Sequence, residues 1–166
     1  MRKLTVLLAA GLILGASGQA MAINADASAS VINPISVVQT RALAFGKIFT
    51  TVPGGVVVLS AEDTPLTAGS TAGLISGTSY ASGQFTVTGD SNTGYSITSD
   101  ASTILVGGGT AMPLSLTKDK TSGTTATTTP YALATDVFYV GGTLSVPPNQ
   151  IPGLYSATYA VTVAYN

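Results

Sequence analysis

The chain has 166 residues, 45% of them hydrophobic and 8% charged, with a formal net charge of −1 and neither cysteine nor histidine. So much apolar content at so little net charge excludes a disordered chain, and without a basic stripe there is nothing to displace counterions from nucleic acid. Lacking His and Cys, the chain has no imidazole base, thiolate nucleophile or standard zinc ligand; it reads as non-enzymatic, with no cofactor and no metal.

In chain order, residues 1–22 read as a signal peptide. Arg2 and Lys3 form a positive start, residues 4–14 an apolar stretch too short to span a bilayer, and Ala20-Met21-Ala22 a small-x-small cleavage pattern. The expected location is therefore outside the cytoplasm: periplasm in transit, then the cell surface or the medium. The remaining segment, 23–166, keeps Arg41, Lys47, Lys118 and Lys120 against seven acids. Its length suits one domain with a real core. It contains no further stretch apolar enough for a membrane helix and no cysteine to carry a lipid or a disulfide.

Residues 23–40 form an extended N-terminal segment. Ile23, Ala25, Ala27, Ala29, Val31, Ile35 and Val37 share one parity, interrupted by Asn33, with Asn24, Asp26, Ser28, Ser30 and Pro34 between them. Such a segment presents one apolar face, either to its own fold or to another chain. Short alternating runs follow, rich in Val, Ile, Thr and aromatics. They lie at 56–59 after Pro53-Gly54-Gly55, at 84–88, at Tyr95 and Ile97, at 104–106 and at 137–146. Gly141-Gly142 inside the last run marks a bulge or a close backbone approach. Runs of this length separated by turn residues predict an all-β sandwich or barrel.

Between the runs, each chemically suggestive cluster has a plainer reading. Glu62-Asp63 would point to opposite faces of an extended chain and reads as a solubilised turn. Asp90-x-Asn92-x-Gly94 lacks the further acids of a calcium loop and reads as an Asx-rich turn. Gly107-Gly108-Gly109 has no following Lys-Ser/Thr and is no phosphate loop. Lys118-Asp119-Lys120 reads as a solvated turn, and 121–130 as an exposed loop or weak edge strand. Tyr80, Tyr95, Tyr131, Tyr139 and Tyr155 either stack on a sugar from one exposed face or fill a core with the hydroxyl at its rim.

The closing run alternates most cleanly. Tyr155, Ala157, Tyr159, Val161, Val163 and Tyr165 share one parity; Ser156, Thr158, Ala160, Thr162, Ala164 and Asn166 share the other. One face is apolar, the other small and polar.

Several motifs carry a resemblance. They are Leu43-Ala44-Phe45-Gly46-Lys47-Ile48; Phe85-Thr86-Val87-Thr88-Gly89 followed by Tyr95-Ser96-Ile97-Thr98; and Val140-Gly141-Gly142-Thr143-Leu144-Ser145-Val146 followed by Gln150 and Gly153. To these the closing run adds the penultimate Tyr165, with Gly153 fourteenth from the end. The pattern resembles a family of small secreted bacterial all-β domains of unknown function, which are similar to archaic-type chaperone–usher pilins. One departure is the disulfide that many pilins carry and this chain lacks.

The resemblance implies a single immunoglobulin-like antiparallel β-sandwich, incomplete and completed by a donated strand. It implies a structural subunit of a surface fimbria, with copies of itself or related subunits, a periplasmic chaperone and an outer-membrane usher as partners. Ala27, Ala29 and Val31 would be donor-strand positions. Gly153, Tyr159, Val161, Val163 and Tyr165 would line the interface with subunit or chaperone. Two alternatives stay open: a self-complete sandwich that binds carbohydrate or a surface partner, and a small outer-membrane barrel.

Overall fold

The computed structural model describes residues 21–49, 53–63, 67–68, 73–74, 80–125 and 133–166. Most of the predicted signal peptide, residues 126–130 of the Thr-rich tract and Tyr131 lie outside them. The chain divides into two units, Met1–Ser30 and Val31–Asn166. In the first, residues 21–30 form no strand and every one is exposed.

The second unit is all-β and sandwich-like, and every described strand pairing is antiparallel. Its strands are β1 (Ser36–Arg41), β2 (Ile48–Phe49), β3 (Gly55–Leu59), β4 (Thr67–Ala68), β5 (Gly73–Leu74) and β6 (Gly83–Asp90). They continue with β7 (Gly94–Ser99), β8 (Ser102–Leu105), β9 (Met112–Lys118), β10 (Ser122–Thr124), β11 (Leu133–Val146) and β12 (Val161–Tyr165). The large sheet runs β1-β6-β11-β3-β4, with β9 also on β11 and β8 on β9. The small sheet runs β10-β7-β12, and β2 pairs β5 separately.

The predicted run at 137–146 is part of the longest strand, β11, which organises the large sheet. Its first eight residues pair β6, from Leu133↔Asp90 to Val140↔Gly83. From Val140 onward it pairs β9, and from Gly142 also β3. Gly141 and Gly142 mark this change of partner. A Cβ on Gly141 would lie 2.3 Å from the Leu59 carbonyl oxygen, and one on Gly142 2.4 Å from that of Ser115. Of the two predicted roles, close backbone approach is the one these glycines serve. Gly54, at φ +74°, makes the left-handed turn into β3 beneath the Val146 carbonyl.

Alternation places the core. Val57 and Leu59 of β3, Met112 and Leu114 of β9, and Leu144 and Val146 of β11 bury with Phe45 in one cluster. Phe85 and Val87 of β6, Tyr95 and Ile97 of β7, and Phe138 and Val140 of β11 form the second, between the two sheets. Phe85 and Phe138 are opposed across the ladder and stack with centroids 5.1 Å apart. Such a pair contributes about 0.5–1.5 kcal/mol beyond its buried area.

Polar contacts tie the layers at two points. The buried Tyr95 hydroxyl donates to Asp136 Oδ2 at 2.7 Å, while Lys120 Nζ donates to both oxygens of the same carboxylate. Burial alone would raise the Asp136 pKa, but hydrogen bonds from Lys120, Tyr95 and the Val137 N–H more than offset it and hold the carboxyl below its usual range. Burial first, and Asp136 second, push the Tyr95 hydroxyl well above the ordinary phenol range. Lys118-Asp119-Lys120 is thus more than a solvated turn: Lys118 Nζ donates to Ser99 Oγ, and Asp119 accepts from the Tyr139 N–H. The second point is Asp90, whose carboxylate accepts from Asn33 N, Asn33 Nδ2 and Thr93 Oγ1. Its carbonyl accepts from the fully buried Thr125, at the end of the predicted weak edge strand, here β10.

Candidate functional site

The site is built on two strand edges that find no partner among the described residues. One is the outer edge of β1, which pairs β6 on its other side. The second belongs to the closing run. From residue 156 onward this run lies antiparallel to residues 94–106: Ser156 exchanges both backbone bonds with Val106, Ala160 O accepts from Asp100 N, and β12 pairs β7. Asn166 N donates to Gly94 O. The even-numbered residues therefore turn their backbone groups toward β7, as an antiparallel ladder requires. The odd ones, Ala157, Tyr159, Val161 and Val163, turn theirs the other way, toward β1. The two strands touch without forming a ladder.

The predicted alternation holds from Thr158 onward, while Ala157, of the apolar parity, is exposed; the strand itself covers only Val161–Tyr165. Every even residue from 156 to 166 is exposed, while Tyr155, Tyr159, Val161, Val163 and Tyr165 are half-buried. Tyr159, Val161, Val163 and Tyr165 pack with Ile35 and Val37 against the second core cluster. They are not sealed in it, because the space between the two edges is open. A cavity of about 370 Å³ lies there, lined by Val37, Leu43, Phe85, Ala157, Tyr159 and Val161 among others. Toward Ile151 it continues into one of about 1030 Å³, lined by Phe45, Phe49, Met112, Leu144, Leu154 and Tyr155 among others. Leu43, Ala157 and Tyr159 line both, so together they make one long groove, mixed in polarity where it is narrow and mostly apolar where it is wide.

Two tyrosines of the closing run pack onto β6, and Tyr159 lines the groove. The Tyr159 hydroxyl rests on Gly83 and that of Tyr165 on Gly89, where added Cβ atoms would come within 2.7 and 2.6 Å. The spacing of six residues is the same in both pairs. Tyr165 is latched: its hydroxyl accepts from Asp90 N at 2.6 Å and donates to Asn33 O at 2.8 Å. Tyr159 packs edge-on to Phe85, but its buried hydroxyl has no partner among the described residues, and burial pushes its pKa up to about 12.

The structure thus gathers Tyr159, Val161, Val163 and Tyr165 on one face. Gly153 is off that face, at an exposed bend on the rim of the wide cavity, where an added Cβ would meet nothing within 4 Å. Ala27 and Ala29 are exposed and in no strand, and Val31 is 91% exposed. The residues missed by sequence reading are Gly83 and Gly89, the floor residues Val37 and Phe85, and the Asn33–Asp90–Tyr165 latch. Two glycines inside a strongly alternating strand were the one available signal.

Of the tyrosines weighed as a sugar platform, Tyr95 is fully buried, Tyr139 lies beneath the Arg41 guanidinium, and Tyr155 donates to the Ile151 carbonyl. No described helix is long and apolar enough to cross a membrane.

Compared with known proteins, residues 35–165 match the model of a family described as a domain of unknown function, DUF4402. No curated protein and no solved structure matches the chain.

Proposed function

The chain belongs to the DUF4402 family, and we propose that it is an exported structural subunit of a bacterial surface filament whose copies are joined by strand donation. The observation that carries this reading is the groove itself: apolar side chains on its floor and unpaired backbone edges on both walls. A floor of that kind accepts any apolar body, but two free edges call specifically for a strand, which meets both rows of donors and acceptors at once.

Residues 23–31 of a neighbouring copy supply that strand. They alternate, lie in no strand and are exposed, and Ile23 and Val31 expose 83% and 91% of their surface. Once seated, the backbone closes both ladders while Ala27, Ala29 and Val31 turn onto the floor. Before assembly, a periplasmic chaperone fills the same groove with a strand of its own, and an outer-membrane usher exchanges that strand for the next subunit's. In this role the protein has no catalytic step and needs no cofactor.

The test compares the chain with a version lacking residues 23–31, with and without a peptide spanning 23–37. Strand donation requires that the deleted chain be monomeric and strongly stabilised by the peptide, and that the intact chain form concentration-dependent oligomers. An intact chain that stays monomeric at every concentration, with a groove indifferent to the peptide, would overturn the reading in favour of a self-complete binding module.

A further inference from the structure

Resting on strand donation, we infer that the two ends of the sandwich form a second contact between copies. Ile151 and Leu154 at the wide mouth of one groove dock against Ile32 and Leu133 of the copy that donates the strand.

The argument begins with the direction of entry. One end of the groove is occupied by its own chain, where Tyr165 holds Asn33 and Asn33 holds Asp90. The other end is the wide cavity, whose lining includes the exposed Phe49, Ile151 and Leu154. A strand that is still attached to a folded body must therefore lie with its body at the Leu154 end, antiparallel to the closing run. Side-chain size agrees. Ala25, Ala27, Ala29 and Val31 have the same six-residue span as Ala157, Tyr159, Val161 and Val163. Antiparallel alignment sets Val31 beside Ala157 and the alanines beside Val163, Val161 and Tyr159, so that large meets small throughout. Parallel alignment would crowd Val31 against Val163 and leave Ala25 beside Ala157.

With Val31 beside Ala157, Ile32 emerges at the mouth. In its own fold Ile32 precedes Asn33, which bonds Asp90, and Asp90 pairs Leu133. Ile32 and Leu133 thus share one end of the body and are exposed, as are Ile151 and Leu154, the latter at 86%. The long strand β11 separates the two patches: Leu133 begins it, and Val146, which lines the wide cavity, ends it. At about 3.3 Å per residue they lie roughly 40 Å apart. A contact that uses opposite ends of each copy is heterologous and propagates as an open line instead of closing a dimer.

Because the chain has no cysteine, single introduced thiols report the contact cleanly. L154C and L133C variants of the full chain would be prepared separately, mixed, and treated with a short bis-maleimide. The expected result is a cross-linked dimer in the mixture and in neither variant alone, with a ladder of higher oligomers from the L133C/L154C double variant. L133D, at an exposed residue outside both the groove and the peptide, should weaken association at least about tenfold while leaving binding of the 23–37 peptide unchanged. If the peptide binds but mixed cross-links are absent, or like pairs cross-link equally well, the end-to-end contact is overturned and strand donation stands. If the peptide itself fails to bind, strand donation falls, and this contact with it.

Discussion

Two sides of the same core cluster are made of similar residues and end in different states. Val87, Phe138 and Val140, on β6 and β11, are completely covered, whereas Val37, Val161 and Val163, on β1 and β12, are only half-covered. Hydrophobicity does not separate the two sets; strand neighbours do. β6 is paired by β1 and β11 at Val87, and β11 by β6 and β9 at Val140, while β1 and β12 each have one edge that pairs no strand among the described residues. Under the proposed function, what the open side lacks is a strand, not apolar side chains.

The difference can be probed from the covered side first. Phe138→Ala removes a fully buried ring and should cost about 3–5 kcal/mol in urea unfolding, equally with and without the 23–37 peptide. Val163→Asp acts on the open side. It should abolish peptide binding and chaperone capture while export continues; assembly that survives this change would break the comparison. Acid titration probes the contact between the sheets. Because the Asp136 pKa is lowered in the fold, its stabilisation is present above the ordinary carboxylate range and is lost as pH falls through the lowered value. Urea midpoints should therefore fall below about pH 4, and Asp136→Asn should flatten that limb. Smallest is Tyr159→Phe. Removing a buried hydroxyl that has no partner among the described residues should change stability by no more than about 0.5 kcal/mol, and should relieve much of the crowding that Gly83→Ala introduces. A large loss in Tyr159→Phe would mean that the hydroxyl is bonded.

These contrasts also mark what could be read from the chain alone. Period-two alternation located the closing run and assigned each of its residues to a face, because side-chain direction is a local property of an extended backbone. Alternation carries no information about the neighbour across the edge. Nothing at Val161 or Val163 says that one side of the strand is free, since that depends on where β1, some 120 residues earlier, comes to rest. For the same reason the bonds from Tyr95 and Lys120 to Asp136 were invisible, as was the role of Asn33, which looked like an interruption of an apolar face and proves to be a latch. The identical six-residue spacing of Gly83 and Gly89 and of Tyr159 and Tyr165 was in plain view, but only the packing of one pair on the other gives it meaning.

Amide hydrogen exchange along the closing run addresses the free edge directly. In the chain lacking residues 23–31, the N–H groups of Thr162 and Ala164 should be protected by β7, while those of Tyr159, Val161 and Val163 exchange quickly. Adding the 23–37 peptide should slow the second set and leave the first unchanged. Protection of Tyr159, Val161 and Val163 before any peptide is added would mean that the fold already satisfies this edge, and would contradict strand donation at its foundation.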